Sequence, residues 1–500
     1  MMQSFWHYMR VFFEGGIFVY GILILSAYAL LAFLSFSAIN RFRKKEQYTD
    51  YKKLNSSSLA PGISIIAPAF NEGITIIQNV RSLLTLNYTN FEVIIINDGS
   101  TDDTLEKLIA EYDLEQVDFA YDEKIKSKRV RRIFKSRNIA YEKLMVIDKE
   151  NGKSKADASN AGINAASFDY FVCTDVDCIL EKDTLIKLIQ PMLAEENRKI
   201  TEVGEPCPQC GYIHIKEDTK RVIATGATLR IANSSDIEEG ELVRMRPPRS
   251  LFPRFQEMEY IRAYVLGKMG WSKINCVPNV SGGLGLFDKE IAIKAGGYDA
   301  LSFGEDMDLV TRMCAYMKDN KQKYAIRYIP STLCWTEGPS TLKIFGRQRT
   351  RWGRGLIQIM SIHRKILFNP AYGKLGLVVF PYNFLFEFLA PIIEFLGIIY
   401  YIYIIITGRI NTTDALLLLL FVYLYSIMIT LIAVYWDQIV NKSYKTWKEV
   451  VGLSLMAFLE PIIYHPLIVF FALKGYFFFI TGRKHSWGNM QRRGFGQPPR

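Results

Sequence analysis

Long apolar runs lie toward both ends of the chain, while the middle alternates short apolar runs with polar segments. Residues 17–39 contain no charge. As a helix rising 1.5 Å per residue, such a run spans about 34 Å, enough for a bilayer core of about 30 Å. Three more apolar stretches follow the middle region, at roughly 375–406, 415–436 and 450–479. The first contains Glu387, Pro391 and Glu394, and the third Glu460, Pro461, His465 and Pro466. Carboxylates at membrane depth need a cavity or a protein partner. These stretches read equally as walls of a water-lined path or as kinked helices partly in the interface.

Between 62 and 340 the periodicity changes. Ile63 to Ala67 is a short β run, 71–86 suits a helix, Phe91 to Ile96 is a second β run, and 103–112 suits another helix. Two strand–loop–helix units in succession predict an α/β domain with a mostly parallel sheet. The pattern recurs at Tyr170 to Thr174, followed by a helix over 183–194. Residues 201–219 read as a loop, 221–231 as a strand, and 255–269 as a helix packing through Tyr260, Tyr264 and Met269. From 341 to 369, Arg and Lys mix with Leu, Ile, Phe and Trp, as in a helix lying in the membrane interface. The expected organisation is an N-terminal anchor (1–45), a linker (46–60), a cytoplasmic domain (61–340), an amphipathic interface region (341–370), C-terminal membrane segments (371–480) and a basic tail (481–500).

Charge refines this picture. The chain has 500 residues, 49% apolar and 22% charged, with a net charge of +11. Its basic clusters flank apolar stretches, as Arg41, Arg43, Lys44 and Lys45 do. That flank places the residues after 41 in the cytoplasm, and positive charge following the run is the reverse of a secretory signal. With no zinc-finger spacing, basic heptad region or RNA-binding aromatic pair, the basic excess points to a membrane and excludes nucleic acid as partner. The topology does not close: one span before the domain and three after it put the C-terminus outside, whereas Arg483, Lys484, Arg492, Arg493 and Arg500 favour the cytoplasm. Either one late stretch does not cross fully or 375–406 hides a re-entrant turn. Seven scattered cysteines argue against disulfides. Cys207 and Cys210 form a C-x-x-C near His214, read as reduced thiols or a local metal or redox pair.

Several polar clusters carry chemistry. Asp175 and Asp177 end an apolar strand, so both carboxylates enter the crevice where open α/β sheets bind ligands. Paired carboxylates suit a divalent cation that also takes diphosphate oxygens. Asp98, in Asn97-Asp98-Gly99-Ser100, can accept ribose hydroxyls or a base N–H. A turn in which Ser100 or Thr101 caps the next helix is the structural alternative. Glu72 follows the first strand and either lines the same pocket or complements a helix dipole. Lys155 can meet a diphosphate as a point charge, although the glycine spacing is not that of a P-loop. Glu305-Asp306 is the candidate acid–base pair: a carboxylate taking a hydroxyl proton permits single displacement with inversion. A helix-start carboxylate explains Asp306 equally well. Gln348, Arg351 and Trp352 fall at i, i+3 and i+4 and share a face, suited to sugar oxygens, diphosphate charge and pyranose stacking. Interface anchoring also accounts for Arg and Trp. Arg347, Arg349 and Arg354 read as meeting lipid headgroups or the protein surface.

In this order, over about residues 60–360, the clusters resemble the processive, inverting family 2 glycosyltransferases of membranes, which include cellulose, hyaluronan, chitin and poly-N-acetylglucosamine synthases. The resemblance implies a glycosyltransferase A-type domain taking a UDP-sugar with Mg²⁺ or Mn²⁺. It implies Asp98 and Lys155 at the nucleotide, Asp177 as metal ligand within Asp175-Val176-Asp177, Asp306 as base, and Gln348 to Trp352 closing over the nucleotide. Ser281 to Phe287 resembles the family's acceptor loop, although Asp288 and Lys289 depart from the poly-N-acetylglucosamine subgroup. A PilZ-like domain is not expected after the last apolar stretch. The expected function is polymerisation of sugar onto a growing glycan, coupled to export, in a bacterial inner or plasma membrane. Membrane lipids and an accessory or export subunit are the further partners. Transfer of one sugar to a lipid acceptor is the alternative, and a non-catalytic membrane binding or transport protein a more distant one.

Overall fold

The computed structural model describes residues 2–47, 49, 51–55, 57, 60–193, 199–206, 213–218, 220–238, 240–408 and 412–483. Fourteen strands occur among them: β1 Ile63–Ala69, β2 Phe91–Asn97, β3 Leu114–Gln116, β4 Val130–Ser136, β5 Leu144–Lys149, β6 Tyr170–Thr174, β7 Ile179–Leu180, β8 Lys199–Pro206, β9 Ile213–Asp218, β10 Arg221–Ile231, β11 Asp236–Glu238, β12 Glu241–Arg244, β13 Leu284–Asp288 and β14 Tyr324–Thr336. Ten form one sheet in the order β3-β4-β5-β2-β1-β6-β13-β10-β14-β7. Its centre is apolar on both faces, as Ile63, Ile65, Ile66, Val93, Ile94, Ile95 and Ile96 at 0% exposure show. The helix Lys155–Ala165 seals one face, and a Cβ at Gly162 would stand 2.5 Å from Ile66 Cγ2.

The sheet corrects the expectation of a mostly parallel, A-type arrangement. β1 pairs in parallel with β2 and β6, as do β2 with β5 and β10 with β14. The other five neighbour pairs, β3/β4, β4/β5, β6/β13, β13/β10 and β14/β7, are antiparallel. The strand–loop–helix pattern correctly marks the parallel centre. It carries no information on β13, which enters from a loop and runs back along β6 with Leu284 opposite Thr174. Residues 201–219, expected to be a loop, include the β8/β9 hairpin. Cys207 and Cys210 lie outside the described residues, as does the tail beyond 483.

Among the described residues, four helices are long and apolar enough to cross a membrane: Gly15–Glu46, Leu375–Ile406, Ala415–Asn441 and Glu460–Ile480. The stretch 450–479 is not one helix. It comprises a helix Trp447–Ser454, a 3₁₀ turn Leu455–Phe458, a π turn Glu460–Tyr464 and a helix His465–Ile480. Pro461 and Pro466 each withhold a backbone N–H, which breaks the ladder here. The basic segment forms the helix Leu342–Ile362, with Thr341 Oγ1 accepting from Ile344 N. This helix lies against His465–Ile480. Gly353 meets the backbone of Ala472, and Gly475 meets Thr350 O. Arg349 and Arg354 are buried, at 5% and 6% exposure.

Candidate active site

Three chain segments converge on the backbone of one glycine, Gly282. Lys155 begins a helix whose N-cap, Ser154, accepts from Ala156 N. Its Nζ lies 2.7 Å from Asp175 Oδ1 and donates to Gly282 O at 2.6 Å. The Gly282 N–H donates to Asp306 Oδ2 at 3.0 Å. The acidic pair after β6, the loop before β13 and the Glu305–Asp319 helix start are thereby tied together. Antiparallel β13 is the cause: its first residue pairs with the last of β6, so the loop before it lies beside Asp175.

Charge in this cluster is balanced locally. Burial disfavours the Lys155 ammonium, but Asp175 beside it and Glu305 further away hold it charged above its ordinary range. Burial pushes the Glu305 carboxyl up, Arg351 opposes that, and Asp306 adds to it. Asp175, Asp177 and Cys178 each offer a ligand atom, all within 4.8 Å of one another. The two carboxylates are the hard oxygen donors that Mg²⁺ and Mn²⁺ prefer. The Cys178 thiol, hydrogen-bonded with Cys334, is a soft donor and does not suit them. The carboxylates therefore fit the cation, and the thiol belongs to the core.

A cavity of about 1730 Å³ is lined by Lys155, Asp175, Glu305, Asp306, Gln348, Arg351 and Trp352. It continues between the apolar helices to Tyr20, Glu387, Glu394, Tyr423, Glu460 and His465. Glu387, Glu394 and Glu460 thus face a cavity, and the latter two are also partnered. Arg262 bonds Glu460 at 2.6 and 2.8 Å, and His465 Nε2 lies 2.8 Å from Glu394 Oε2. On the helix above, Gln348 Oε1 accepts from Gln256 Nε2 at 3.3 Å. Trp352, 36% exposed, has the Arg349 guanidinium 4.3 Å from its ring centre, and Arg349 also pairs with Glu259.

Asp177, Asp98 and Glu72 do not line this cavity. Asp177 is 7% exposed, beside Asp175. Asp98 is held by Lys149 Nζ at 2.6 Å and by Gly152 N at 2.9 Å, and Lys149 also pairs with Asp157 at 2.6 Å. Burial raises the Asp98 carboxyl pKa, against the lowering by Lys149 and Gly152. Glu72 stands at the adjoining strand end, where Asn71 N donates to Ser100 Oγ and Glu72 N to Thr104 Oγ1. Asp102, in place of the expected Ser100 or Thr101, accepts from Thr104 N and from Gly73 N. Tyr260 and Tyr264 pack in or against the core, as the sequence pattern predicts, and both also line the cavity. Sequence reasoning missed Lys268 and the Arg262–Glu460 pair, because partners 198 residues apart leave no local signal.

The family described as "Glycosyl transferase family 2" matches residues 64–140 and 126–200, and "Glycosyl transferase family group 2" matches 250–437. The poly-beta-1,6-N-acetyl-D-glucosamine synthase of Staphylococcus aureus (strain COL) is 27% identical over 316 residues, covering 63% of this chain and 59% of that protein. The Staphylococcus epidermidis protein of the same name is 27% identical over 296 residues, 59% of this chain and 54% of its own. The chain thus spans less than two thirds of the length of these curated relatives. Among solved structures, a mannosyltransferase from Pyrobaculum calidifontis in complex with GDP-Man and Mn²⁺ aligns with a TM-score of 0.46 at 14% identity, over 91% of this chain and 99% of that one.

Proposed function

We propose that this relative of the family 2 glycosyltransferases, with its helices of membrane-spanning length, is an inverting polysaccharide synthase that extends a glycan from a UDP-sugar on the cytoplasmic side of a bacterial membrane. The observation that carries the reading is the Gly282 backbone held between Lys155 and Asp306, in a cavity continuing among the apolar helices. Asp306 takes the proton of the acceptor hydroxyl as the new glycosidic bond forms, and the UDP leaves from the opposite face. Lys155 and Arg351 compensate the leaving diphosphate. Asp175 and Asp177 would hold Mg²⁺ or Mn²⁺, which supplies further neutralisation of diphosphate charge. Trp352 offers a stacking face to a sugar, and Gln348 a hydrogen-bonding amide. Asp98 and Glu72 serve the nucleoside end, which requires Asp98 to exchange part of its contact with Lys149 for the ligand. The basic turn Arg43, Lys44 and Lys45 at the end of the first helix favours a cytoplasmic domain. Acceptor and product occupy the membrane part of the cavity, and any export subunit docks on that side.

Detergent-purified protein supplied in turn with UDP-glucose, UDP-N-acetylglucosamine and UDP-glucuronate, with products sized, tests the reading. Polymer from one donor is expected, and Asp306→Asn should keep donor binding while turnover falls by about 10²- to 10⁴-fold. A single lipid-linked monosaccharide as sole product would establish the alternative. Equal turnover in wild type and Asp306→Asn would remove Asp306 from the mechanism.

A further inference from the structure

Lys268, one of several cations in the cavity, has no task in the reaction outlined above. Lys268 lines the cavity at 9% exposure. Its ammonium stands 4.7 Å from the ring centre of Tyr264 and 5.6 Å from that of Tyr328, two rings stacked 6.1 Å apart. Burial lowers its pKa to about 8, with Asp306 opposing the shift from beyond ion-pair distance. Aromatic faces offset part of the cost of desolvating an ammonium but offer its three N–H donors no lone pair. A methionine or leucine would pack between the same rings without that cost, so packing alone does not account for a lysine here.

Its position identifies which ligand it meets. Lys268 ends the π turn Arg262–Lys268, a helical irregularity that often marks functional positions. This turn is pressed against the first apolar helix: Ser35 Oγ donates to Val265 O at 2.6 Å, and a Cβ on Gly270 would stand 2.8 Å from Leu31 O. Toward the reaction centre, the Tyr264 hydroxyl lies 3.2 Å from Ser281 Oγ, next to the Gly282 N–H that bonds Asp306. Of the other cations that line the cavity, Lys155 pairs with Asp175, Arg262 with Glu460 and Arg349 with Glu259, and Arg351 stands near Glu305. Lys268 is therefore the cavity cation whose neighbours are aromatic rings, on the side of Asp306 that faces the first apolar helix.

We propose that Lys268 is a specificity-determining residue that binds an oxyanion, a carboxylate or phosphate, carried by the acceptor beside the hydroxyl that Asp306 deprotonates. This rests on the reading of Asp306 as base and of the cavity as the acceptor site. A desolvated cation discriminates strongly for a counter-charge, because a neutral sugar would leave it unpaired. The same chemistry comes from a uronate at the end of a glycan or from the phosphate of a lipid headgroup.

Saturation binding of radiolabelled decyl phosphate, decyl β-glucuronide and decyl β-glucoside to the full chain in detergent tests this without requiring turnover. One or both anionic probes should bind saturably and about 10- to 100-fold more tightly than the glucoside. K268M should abolish that preference, K268R should retain it, and UDP-sugar binding should be unchanged in both. A preference for glucuronide identifies a glycan source, and one for phosphate a lipid source. Equal binding of the three probes, no saturable anion binding, or an undiminished preference in K268M overturns the proposal. Failure of polymer synthesis in wild type with the anion preference intact would instead count against the polymerase reading alone.

Discussion

Both backbone polar groups of Gly282 are engaged by site side chains, its carbonyl by Lys155 and its N–H by Asp306. The sequence marks Lys155 and Asp306 as candidates because charged residues at element starts next to small residues are conspicuous. The glycine joining them is invisible until the chain folds. Asp177→Ala should weaken UDP-sugar binding in the presence of Mn²⁺ while leaving metal-free binding unchanged, as titration with and without the ion would show. Equal losses in both conditions would assign Asp177 a structural role. Asp308, two residues past Asp306, illustrates the structural use of a carboxylate. Burial works against its charge, yet the hydrogen bond from His363 at 2.7 Å and the Arg312 pair hold the carboxyl below its usual range. A folded-state pKa below the unfolded one contributes stability above the unfolded value, lost as pH falls through the folded one. Asp308→Asn should therefore cost about 2 kcal/mol near neutral pH. The deficit should narrow below about pH 4, as unfolding midpoints across pH would register.

Elements were legible where a single period governs them. β1, β2 and β6 are short apolar runs ended by polar turns, and the helix Glu305–Asp319 begins at the acidic pair. Strand direction was not legible, since an isolated run such as Leu284–Asp288 reads the same either way along a sheet. Arg349 and Arg354 on the basic helix Leu342–Ile362 misled for a related reason. Arginine and tryptophan on one helix suit a lipid interface, whereas here small residues let a second helix approach and enclose Arg349 and Arg354. A Cβ on Gly475 would stand 2.5 Å from Thr350 O and 2.9 Å from Arg354 N, both backbone atoms that cannot rotate away. Gly475→Ala should force the helices apart, costing about 1–3 kcal/mol, and displace Gln348, Arg351 and Trp352 enough to lower turnover. Gly16→Ala, with nothing within 4 Å of the added Cβ, should be neutral by both measures. A neutral Gly475→Ala would show that the close approach is not required.

At the scale of the whole molecule, the sheet and the membrane helices are joined through buried charge. Arg230 of β10, at 0% exposure, bonds Glu257 at 2.5 Å, Asp437 at 2.6 Å, Ser443 at 2.7 Å and Tyr444 at 3.0 Å. Asp437 lies near the end of the apolar helix Ala415–Asn441. Removing one member strands the others without solvent, so Asp437→Ala should cost about 3–5 kcal/mol, seen as a lower midpoint of thermal unfolding in detergent. An unchanged midpoint would mean that water enters the cluster. By itself the sequence determined which segments are apolar enough to enter a membrane, where the central strands end, and which polar residues stand at those ends. Each follows from composition and period within a few turns of chain. Only the tertiary structure decided that β13 runs against β6, that Gly282 joins two acidic clusters, that Arg349 and Arg354 are enclosed, and that Lys268 lines the cavity. These depend on contacts between residues far apart in the chain, whose energies no local pattern records.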